Sequence, residues 1–365
     1  MFMKLKFLLL ASVVLCVKMG IAQETHFSLF DMSPMTLNPA QTGAFLGTAR
    51  IGGLYRNQGF AISNLRDFNT PSIYVDAPIM RGFRKQDWVG VGGAFVRDQV
   101  GILRLVNTYS ILSASYHLGL DKKGKSVLTL GIQGGGISRK GLNVGKSRGL
   151  FLEEFIDIAN GGGGLTTSAD DVLLALDEGA MGSPGTGTGN KSKAKSVADY
   201  AAGLMFKTKI DKESALEIGF MAGHLSHPKY AFSQTGAGDA GKRSLRLGAH
   251  AKFSRALNET WSIEPTLYYQ SLGKANEMLI QGWAGYKVNQ TTKVNFGLGY
   301  RVGDALNVLF GVQLKDIKVA LAYDITVSSK SSINNGNGAV EFAAYYILKK
   351  YKKPDVKPKI LCPRL

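Results

Sequence analysis

The amino-acid sequence predicts an all-β protein: a transmembrane antiparallel β-barrel of about fourteen strands, with an N-terminal plug-like segment and long extracellular loops. Three observations predict this fold class. Apolar and polar residues alternate with period two through most of the chain. Short turns alternate with long connections, as they do in outer-membrane barrels. After residue 22 there is no run of about 18 apolar residues, which a membrane-spanning helix requires.

The first residues have the composition of an export signal. Lys4 and Lys6 form a short basic region, the stretch from Phe7 to Val17 is apolar, and Ala22 is a small residue suited to cleavage. The sequence therefore predicts a signal peptide over residues 1–22.

The charge and cysteine content narrow the class of protein. The formal net charge is +17, but a nucleic-acid-binding domain would concentrate its basic residues on a helix or one sheet face. The charge alone identifies no partner, and it is the predicted barrel from which we expect outer-membrane lipid and no nucleic acid as partner. Only Cys362 follows the signal peptide, which excludes an intrachain disulfide.

The alternation is clearest over residues 244–253. The odd positions are all apolar, whereas Ser244, Arg246, His250 and Lys252 occupy even positions. Successive side chains of a strand face opposite sides, so one face is apolar and the other charged. The same pattern predicts strands near residues 50–60, 70–76, 88–98, 108–119, 127–138, 196–210, 215–223, 243–253, 261–270, 276–288, 293–300, 306–314, 317–327 and 338–348.

The connections differ in length on the two sides of the predicted barrel, which spans residues 50–348. Short turns are predicted at 121–126, 211–214, 289–292 and 315–316. Longer connections are predicted at 99–107, 139–195, 224–242 and 328–337. Because short turns lie on the periplasmic side of such barrels, we expect both chain ends to be periplasmic and 139–195 to be a long surface loop.

The apolar character of the lipid interior determines which face of each predicted strand looks outward and which looks into the lumen. A Lys or Arg facing lipid at mid-bilayer costs about 2–4 kcal/mol, so the apolar face, with Leu247, must look outward. Aromatic girdles at the membrane interfaces are predicted from Trp88, Trp261, Tyr300 and Tyr323. The lumen is predicted to be lined by Arg246, Lys252, Glu264, Lys293 and Lys318.

The segment 23–49 precedes the first strand and lacks the alternation. Within it, Pro39 blocks regular strand pairing and restricts Asn38 to extended geometry. One interpretation is a periplasmic or luminal plug that docks a partner or seals the pore. The other is a capping segment that packs against the barrel floor, and both stay open.

The C-terminal tail, residues 349–365, is basic. It carries six lysines between 349 and 359, including Lys352 and Lys353, against the one carboxylate of Asp355. It could dock an acidic periplasmic partner by charge attraction, or form a solvated basic end that contacts anionic lipid.

Catalytic and metal-binding patterns are weak. His224 and His227 are three residues apart in a loop, without the carboxylates or fixed helix that a metal site needs. Glu153, Glu154 and Asp157 cluster on the long loop, but no spacing indicates a Ser, His and acid arrangement. We therefore expect no enzyme activity, no metal and no cofactor.

Several motifs resemble one known family in order and spacing. The run from His26 to Phe30, then Leu37-Asn38-Pro39-Ala40 and Gly43, is similar to the start of PorP/SprF proteins. Tyr55-Arg56-Asn57-Gln58, Val75-Asp76-Ala77-Pro78, Trp88-Val-Gly90, Tyr323-Asp324, Gly338-Ala-Val-Glu341 and Cys362-Pro363-Arg364 extend the resemblance over nearly all of the mature chain. Gly59 departs from the usual Trp, and the 139–195 loop is long for the family.

The resemblance implies a non-enzymatic outer-membrane component of the Bacteroidetes type IX secretion and gliding machinery. Such a protein would dock or anchor exported surface proteins such as adhesins and contact periplasmic or outer-membrane secretion proteins. A porin-like or hydrophobic-substrate channel is the alternative. Candidate signature and partner-docking residues are His26, Phe27, Phe30, Asn38, Pro39, Tyr55, Arg56, Gln58, Asp76, Asp324, Glu341, Lys352, Lys353, Cys362, Pro363 and Arg364.

Overall fold

The computed structural model describes nine ranges of the chain, and every structural statement below concerns those residues. The predicted signal peptide, most of the 139–195 loop and the 351–365 tail lie outside them. The described residues are 26–58, 68–80, 86–100, 105–121, 124–141, 196–228, 243–273, 275–329 and 331–350.

Fourteen antiparallel strands form one closed barrel, which confirms the predicted fold class. Each strand pairs with its neighbours in sequence, and the last returns to the first. The strands are β1 Ala49–Gln58, β2 Phe68–Ile79, β3 Trp88–Val100, β4 Leu105–Gly119, β5 Ser126–Gly141, β6 Val197–Lys209, β7 Ser214–Gly223, β8 Arg246–Ala256, β9 Trp261–Leu272, β10 Ala275–Lys287, β11 Thr292–Arg301, β12 Ala305–Leu314, β13 Ile317–Thr326 and β14 Asn337–Leu348.

The helical elements are short. In the N-terminal segment, α1 spans Pro34–Leu37 between two 3-10 turns, Phe30–Met32 and Pro39–Gln41, and α2 spans Ser331–Asn334 before β14. Among the described residues, no helix has the length and apolarity needed to cross a bilayer.

The seam between β1 and β14 closes the barrel. The two strands pair without interruption from Ala49 opposite Leu348 to Gln58 opposite Ala339. This pairing leaves neither strand with a free edge, which removes the unpaired backbone groups that a membrane would not tolerate.

The connections follow the predicted difference in length only in part. The connection predicted over 99–107 has four residues between Val100 and Leu105, and β9–β10 and β11–β12 are joined by two and three residues, as short as the turns at the other end. One end of the barrel, the short-turn end, carries the turns at 120–125, 210–213, 257–260, 288–291 and 315–316. In three of these turns a side-chain oxygen, from Asp211, Asn258 or Asn289, accepts backbone N–H groups two and three residues on. The opposite end is called the long-connection end.

The two faces of the sheet are as predicted. On β12, Leu306, Val308 and Phe310 are exposed on the outside, whereas Asn307 and Leu309 are buried in the lumen. The exterior is therefore apolar, as contact with lipid requires.

One aromatic prediction is wrong. Trp88 faces the lumen: its Nε1 donates to the carbonyl oxygen of Gly43 at 3.0 Å, and its ring stacks on His117 with 4.4 Å between centroids. Trp88 has the same parity as the buried Gly90, so the pleat turns it inward. Trp261 and Tyr300 are exposed on the outer face, consistent with the predicted girdle.

Candidate functional site: a segment inside the barrel

Residues 26–43, hereafter the lumen segment, lie inside the barrel. Ser28, Asn38 and Thr42 are fully buried, although the segment contains only short helical turns. Its polar and backbone groups bond to inward-facing side chains and to strand carbonyls. The barrel wall thus supplies the hydrogen-bond partners that a buried irregular segment needs.

The lumen segment begins and ends near opposite ends of the barrel. At its start, the His26 ring lies 3.8 Å from the carboxylate of Glu277, near the long-connection end of β10. At its end, the N–H of Gly43 donates to Asp76 at 2.7 Å, near the short-turn end of β2. The segment therefore passes through most of the length of the lumen.

Two buried carboxylates hold the beginning of the segment. The N–H groups of Ser28 and Leu29 donate to the two oxygens of Glu341 at 2.7 and 2.8 Å. The hydroxyl of Ser28 donates to Asp324 at 2.7 Å. Hydrogen bonds to a charged acceptor are stronger than neutral ones, so these bonds fix the backbone here.

Two buried arginines neutralise these carboxylates. Arg56 pairs with Asp324 at 3.0 Å and also contacts Glu341. Arg301 lies 3.2 Å from Asp324 and donates to the Ser28 hydroxyl at 2.7 Å. We call these five residues the seam cluster, because Arg56 and Glu341 stand on the two strands that close the barrel. A buried ion left without its partner costs several kcal/mol, so the cluster depends on each member.

Apolar side chains fill the lumen beside the seam cluster. Phe27 and Met32 of the segment belong to one buried cluster with inward-facing Trp283. Phe30 stacks on Tyr268, with 5.1 Å between ring centroids, in a second buried cluster. A water-filled pore would not bury aromatic side chains in this way, so this part of the lumen is packed like a protein core.

The Asn-Pro-Ala turn is held by the opposite wall. The amide of Asn38 donates to the carbonyl oxygens of Leu204 and Phe220 at 3.2 and 3.1 Å, and its Oδ1 accepts the N–H of Ala40 at 2.9 Å. Pro39 begins the following 3-10 turn. A single asparagine therefore caps the turn and fastens it to β6 and β7.

Small residues in the wall make room for this turn. A Cβ at Gly131 would lie 2.3 Å from the nitrogen of Ala40, and one at Gly203 would lie 2.0 Å from Oδ1 of Asn38. Both distances are shorter than real Cβ contacts. The close approach of segment and wall thus requires glycine at these positions.

The end of the segment is bound by β4. The carbonyl oxygen of Thr42 accepts the hydroxyl of Ser115 at 2.6 Å and lies 2.9 Å from Nε2 of His117. The hydroxyls of Thr42 and Ser113 are 2.7 Å apart. The chain then turns at Gly43, whose φ of 68° favours glycine.

The predicted site residues fall in three places. His26, Phe27, Phe30, Asn38 and Pro39 belong to the lumen segment, and the buried side chains of Arg56, Asp76, Asp324 and Glu341 contact that segment. Tyr55 is exposed on the outer face and Gln58 ends β1. Lys352, Lys353, Cys362, Pro363 and Arg364 lie outside the described residues.

Sequence reasoning missed several members of the site. Ser28 stands inside the quoted N-terminal run but is not among the candidate residues. Arg301, which has the same parity as Lys293 and directly follows the strand predicted near 293–300, is not among the predicted lumen residues. Arg50, which pairs with Asp76 at 2.7 Å, was also missed. The signal available for both arginines was an inward-facing charge on a predicted strand.

The histidines of the loop after β7 have separate partners. His224 lies 2.8 Å from Asp199, whereas His227 lies 3.1 Å from the carbonyl oxygen of Arg243. Within the described ranges, no group of three or more His, Cys, Asp or Glu residues is placed to hold a metal ion.

The solved structures that the chain resembles include two toluene transporters and a hydrocarbon channel. The chain is 12% identical to the Ralstonia pickettii toluene transporter TbuX, with a TM-score of 0.48 over 88% of this chain and 94% of that one. It is 11% identical to the CymD monoaromatic hydrocarbon channel, with a TM-score of 0.49 over 91% and 96%. For the Pseudomonas putida toluene transporter TodX, the values are 10%, 0.43, 87% and 93%. No curated protein matches the sequence.

The family comparison covers most of the chain. The model of the type IX secretion system membrane protein PorP/SprF matches residues 20–346, which include the lumen segment and nearly all of the barrel. The chain belongs to the PorP/SprF family of type IX secretion system membrane proteins.

Proposed function

We propose that this chain is a sealed, non-enzymatic outer-membrane component of the type IX secretion and gliding machinery. In this role it docks or anchors exported surface proteins such as adhesins and contacts periplasmic partners. The observation that carries the proposal is the lumen segment, which packs a core inside the barrel and occupies the path that a solute would take. Family membership supplies the secretion system.

The orientation follows from the connections. Short turns face the periplasm in barrels of this kind, so the short-turn end would meet periplasmic partners. The long-connection end would then face the medium and meet the exported protein. The basic tail that follows β14 leaves from the short-turn end, where it would add to the periplasmic contact surface.

Deleting the gene tests the secretion role. The deletion strain should lose surface display of at least one type IX substrate, measured with antibody on intact cells, and a plasmid copy should restore it. A variant with Glu259→Ala, an exposed turn residue, is a matched control that should restore display fully. Unchanged display and unchanged gliding in the deletion strain would contradict the proposal.

A transport pore is the second candidate. It is favoured by inward-facing lysines that keep partial contact with solvent, such as Lys252, which is 28% exposed. A cationic lumen of this kind would select anions. Solute flux into liposomes containing the purified protein distinguishes the two functions, because the sealed barrel gives no flux.

A further inference from the structure

A cluster of lysines points into the lumen beside the lumen segment, in the half of the barrel nearest the short-turn end. They stand at inward-facing positions in the short-turn halves of five strands. We call the space they enclose the lysine vestibule. Its lysines are Lys207, Lys209, Lys252, Lys287, Lys293 and Lys318.

Contacts with the lumen segment show that the deeper lysines face inward. Lys252 and Lys318 lie 3.8 and 3.5 Å from the carboxylate of Asp31, which belongs to the segment. Lys207 lies 3.3 Å from Glu217, whose carboxylate accepts the amide of Gln41 at 2.6 Å. The vestibule therefore borders the lumen segment directly.

The charges in the vestibule do not balance. Lys252 and Lys293 share the carboxylate of Glu264, at 3.1 and 3.4 Å. With Asp31 and Glu217, the vestibule has three carboxylates for its six lysines, so its formal charge is 6 − 3 = +3.

The vestibule is wet, in contrast to the seam cluster. The side chains of Lys207, Lys252 and Lys293 are 50%, 28% and 27% exposed although they face inward. The side chains of Arg56 and Arg301 are only 5% and 3% exposed. Water thus reaches the part of the lumen that the lysines line. The low-dielectric barrel wall strengthens the electric field of the lysines there, and this field attracts an anionic ligand.

The shape and charge of the vestibule restrict its occupant. The strands surround it on all sides, so a bilayer surface does not reach the deeper lysines. The chain's own tail from residue 349 is itself rich in lysine, and like charges repel. An acidic peptide in an extended conformation has the complementary charge.

We propose that the lysine vestibule is a binding site for an aspartate- and glutamate-rich peptide segment carried by a periplasmic partner. This inference rests on the proposed function in two respects, namely that the short-turn end faces the periplasm and that a periplasmic partner exists. The acidic segment inserts from the short-turn end and pairs with the lysines nearest the mouth, Lys209 and Lys287, before the deeper ones.

Peptide binding by the purified full-length protein in detergent tests the site. A fluorescein-labelled decapeptide of glutamate should bind, measured by fluorescence anisotropy, and a decapeptide of glutamine should not. The binding should weaken by at least about tenfold between low and high salt, because screening acts on partly exposed charges. Failure of the glutamate peptide to bind at low salt would overturn the inference.

Matched variants locate the peptide. Lys209→Gln with Lys287→Gln should weaken binding by about five- to tenfold, whereas Lys212→Gln with Lys315→Gln, in exposed turns at the same end, should change it less than about twofold. Glu264→Gln should tighten binding, since it removes a competing carboxylate. Equal losses from the two double variants would overturn the inference.

Two further readouts keep the result interpretable. Heat-dependent migration on gels confirms that each variant is a folded barrel before binding is measured. The peptide-binding assay does not depend on secretion. Absence of peptide binding can therefore be distinguished from failure of the proposed secretion role. Loss of surface display in the deletion strain together with absent peptide binding would overturn the vestibule inference alone.

Discussion

Arg56 of β1 and Glu341 of β14 stand directly opposite each other across the seam that closes the barrel. The guanidinium of Arg56 contacts the carboxylate, which also accepts the N–H groups of Ser28 and Leu29. One carboxylate therefore takes part both in closing the barrel and in holding the lumen segment.

Glu341→Ala should destabilise the barrel strongly. It leaves Arg56 buried with one carboxylate fewer and removes the acceptor of two backbone N–H groups. Breaking a buried ion pair costs about 3–5 kcal/mol. The unfolding temperature in detergent, followed by heat-dependent gel migration, measures the loss. Glu259→Ala, an exposed turn carboxylate, is the control, and equal unfolding temperatures for the two variants would contradict this role.

Gly131→Ala should also destabilise the protein. Its Cβ would overlap backbone atoms of Pro39 and Ala40, so the segment or the strand must shift, at a cost of about 1–3 kcal/mol. Gly282→Ala makes the same chemical change where nothing lies within 4 Å of the new Cβ, and it should leave stability unchanged. Thermal unfolding of both variants checks the prediction, which fails if Gly131→Ala is as stable as the control.

A disulfide should form between the lumen segment and the wall. The hydroxyl oxygens of Thr42 and Ser113 are 2.7 Å apart, so cysteines there need little movement to reach the S–S bond length of about 2.05 Å. With Cys362→Ser to remove the native thiol, Thr42→Cys with Ser113→Cys should be oxidised in cells, as measured by mass spectrometry. Ser110→Cys, on the outer face of β4, should not link to Thr42→Cys. Equal linkage of both pairs would place the segment elsewhere.

Leu247→Arg should impair assembly more than Arg246→Leu. Leu247 faces outward near the long-connection end of β8, and an arginine facing lipid costs from about 0–1 kcal/mol near the interface to about 2–4 kcal/mol at mid-bilayer. Arg246 faces the lumen, where it donates to the carbonyl oxygen of Thr36 and to the hydroxyl of Tyr268, so leucine there loses polar contacts but places no charge in lipid. The folded fraction in isolated outer membranes measures assembly. Equal tolerance of the two changes would mean that the faces are assigned wrongly.

The strands of the barrel could be predicted from the sequence because the alternation that identifies a strand lies within that strand. Alternation over 244–253 correctly turned Leu247 outward and Arg246 inward, and the turn predicted at 289–292 lies where β10 ends. The same alternation places Trp88 on the inward face of β3. The prediction for Trp88 was wrong because it relied on the general preference of tryptophan for membrane interfaces and not on the alternation. Strand ends differed by a few residues, as at Gly141, which ends β5 within the predicted loop.

The contacts of the lumen segment could not be predicted in this way. Ser28 meets Glu341 and Asp324 only because the barrel closes, which brings together positions about three hundred residues apart in sequence. Alternation identifies Arg301 as inward-facing but does not identify its partner. The signature residues were recognised by resemblance, whereas their pairing required the structure.

Electrical conductance in planar bilayers tests the sealed lumen most directly. The wild-type protein should show no steady open-channel conductance, because buried aromatic and charged side chains fill the lumen. The oxidised protein with Thr42→Cys and Ser113→Cys, in which the segment cannot leave, should be equally silent. Regular conductance steps from that locked protein would contradict the account, because they would show an open path beside the lumen segment.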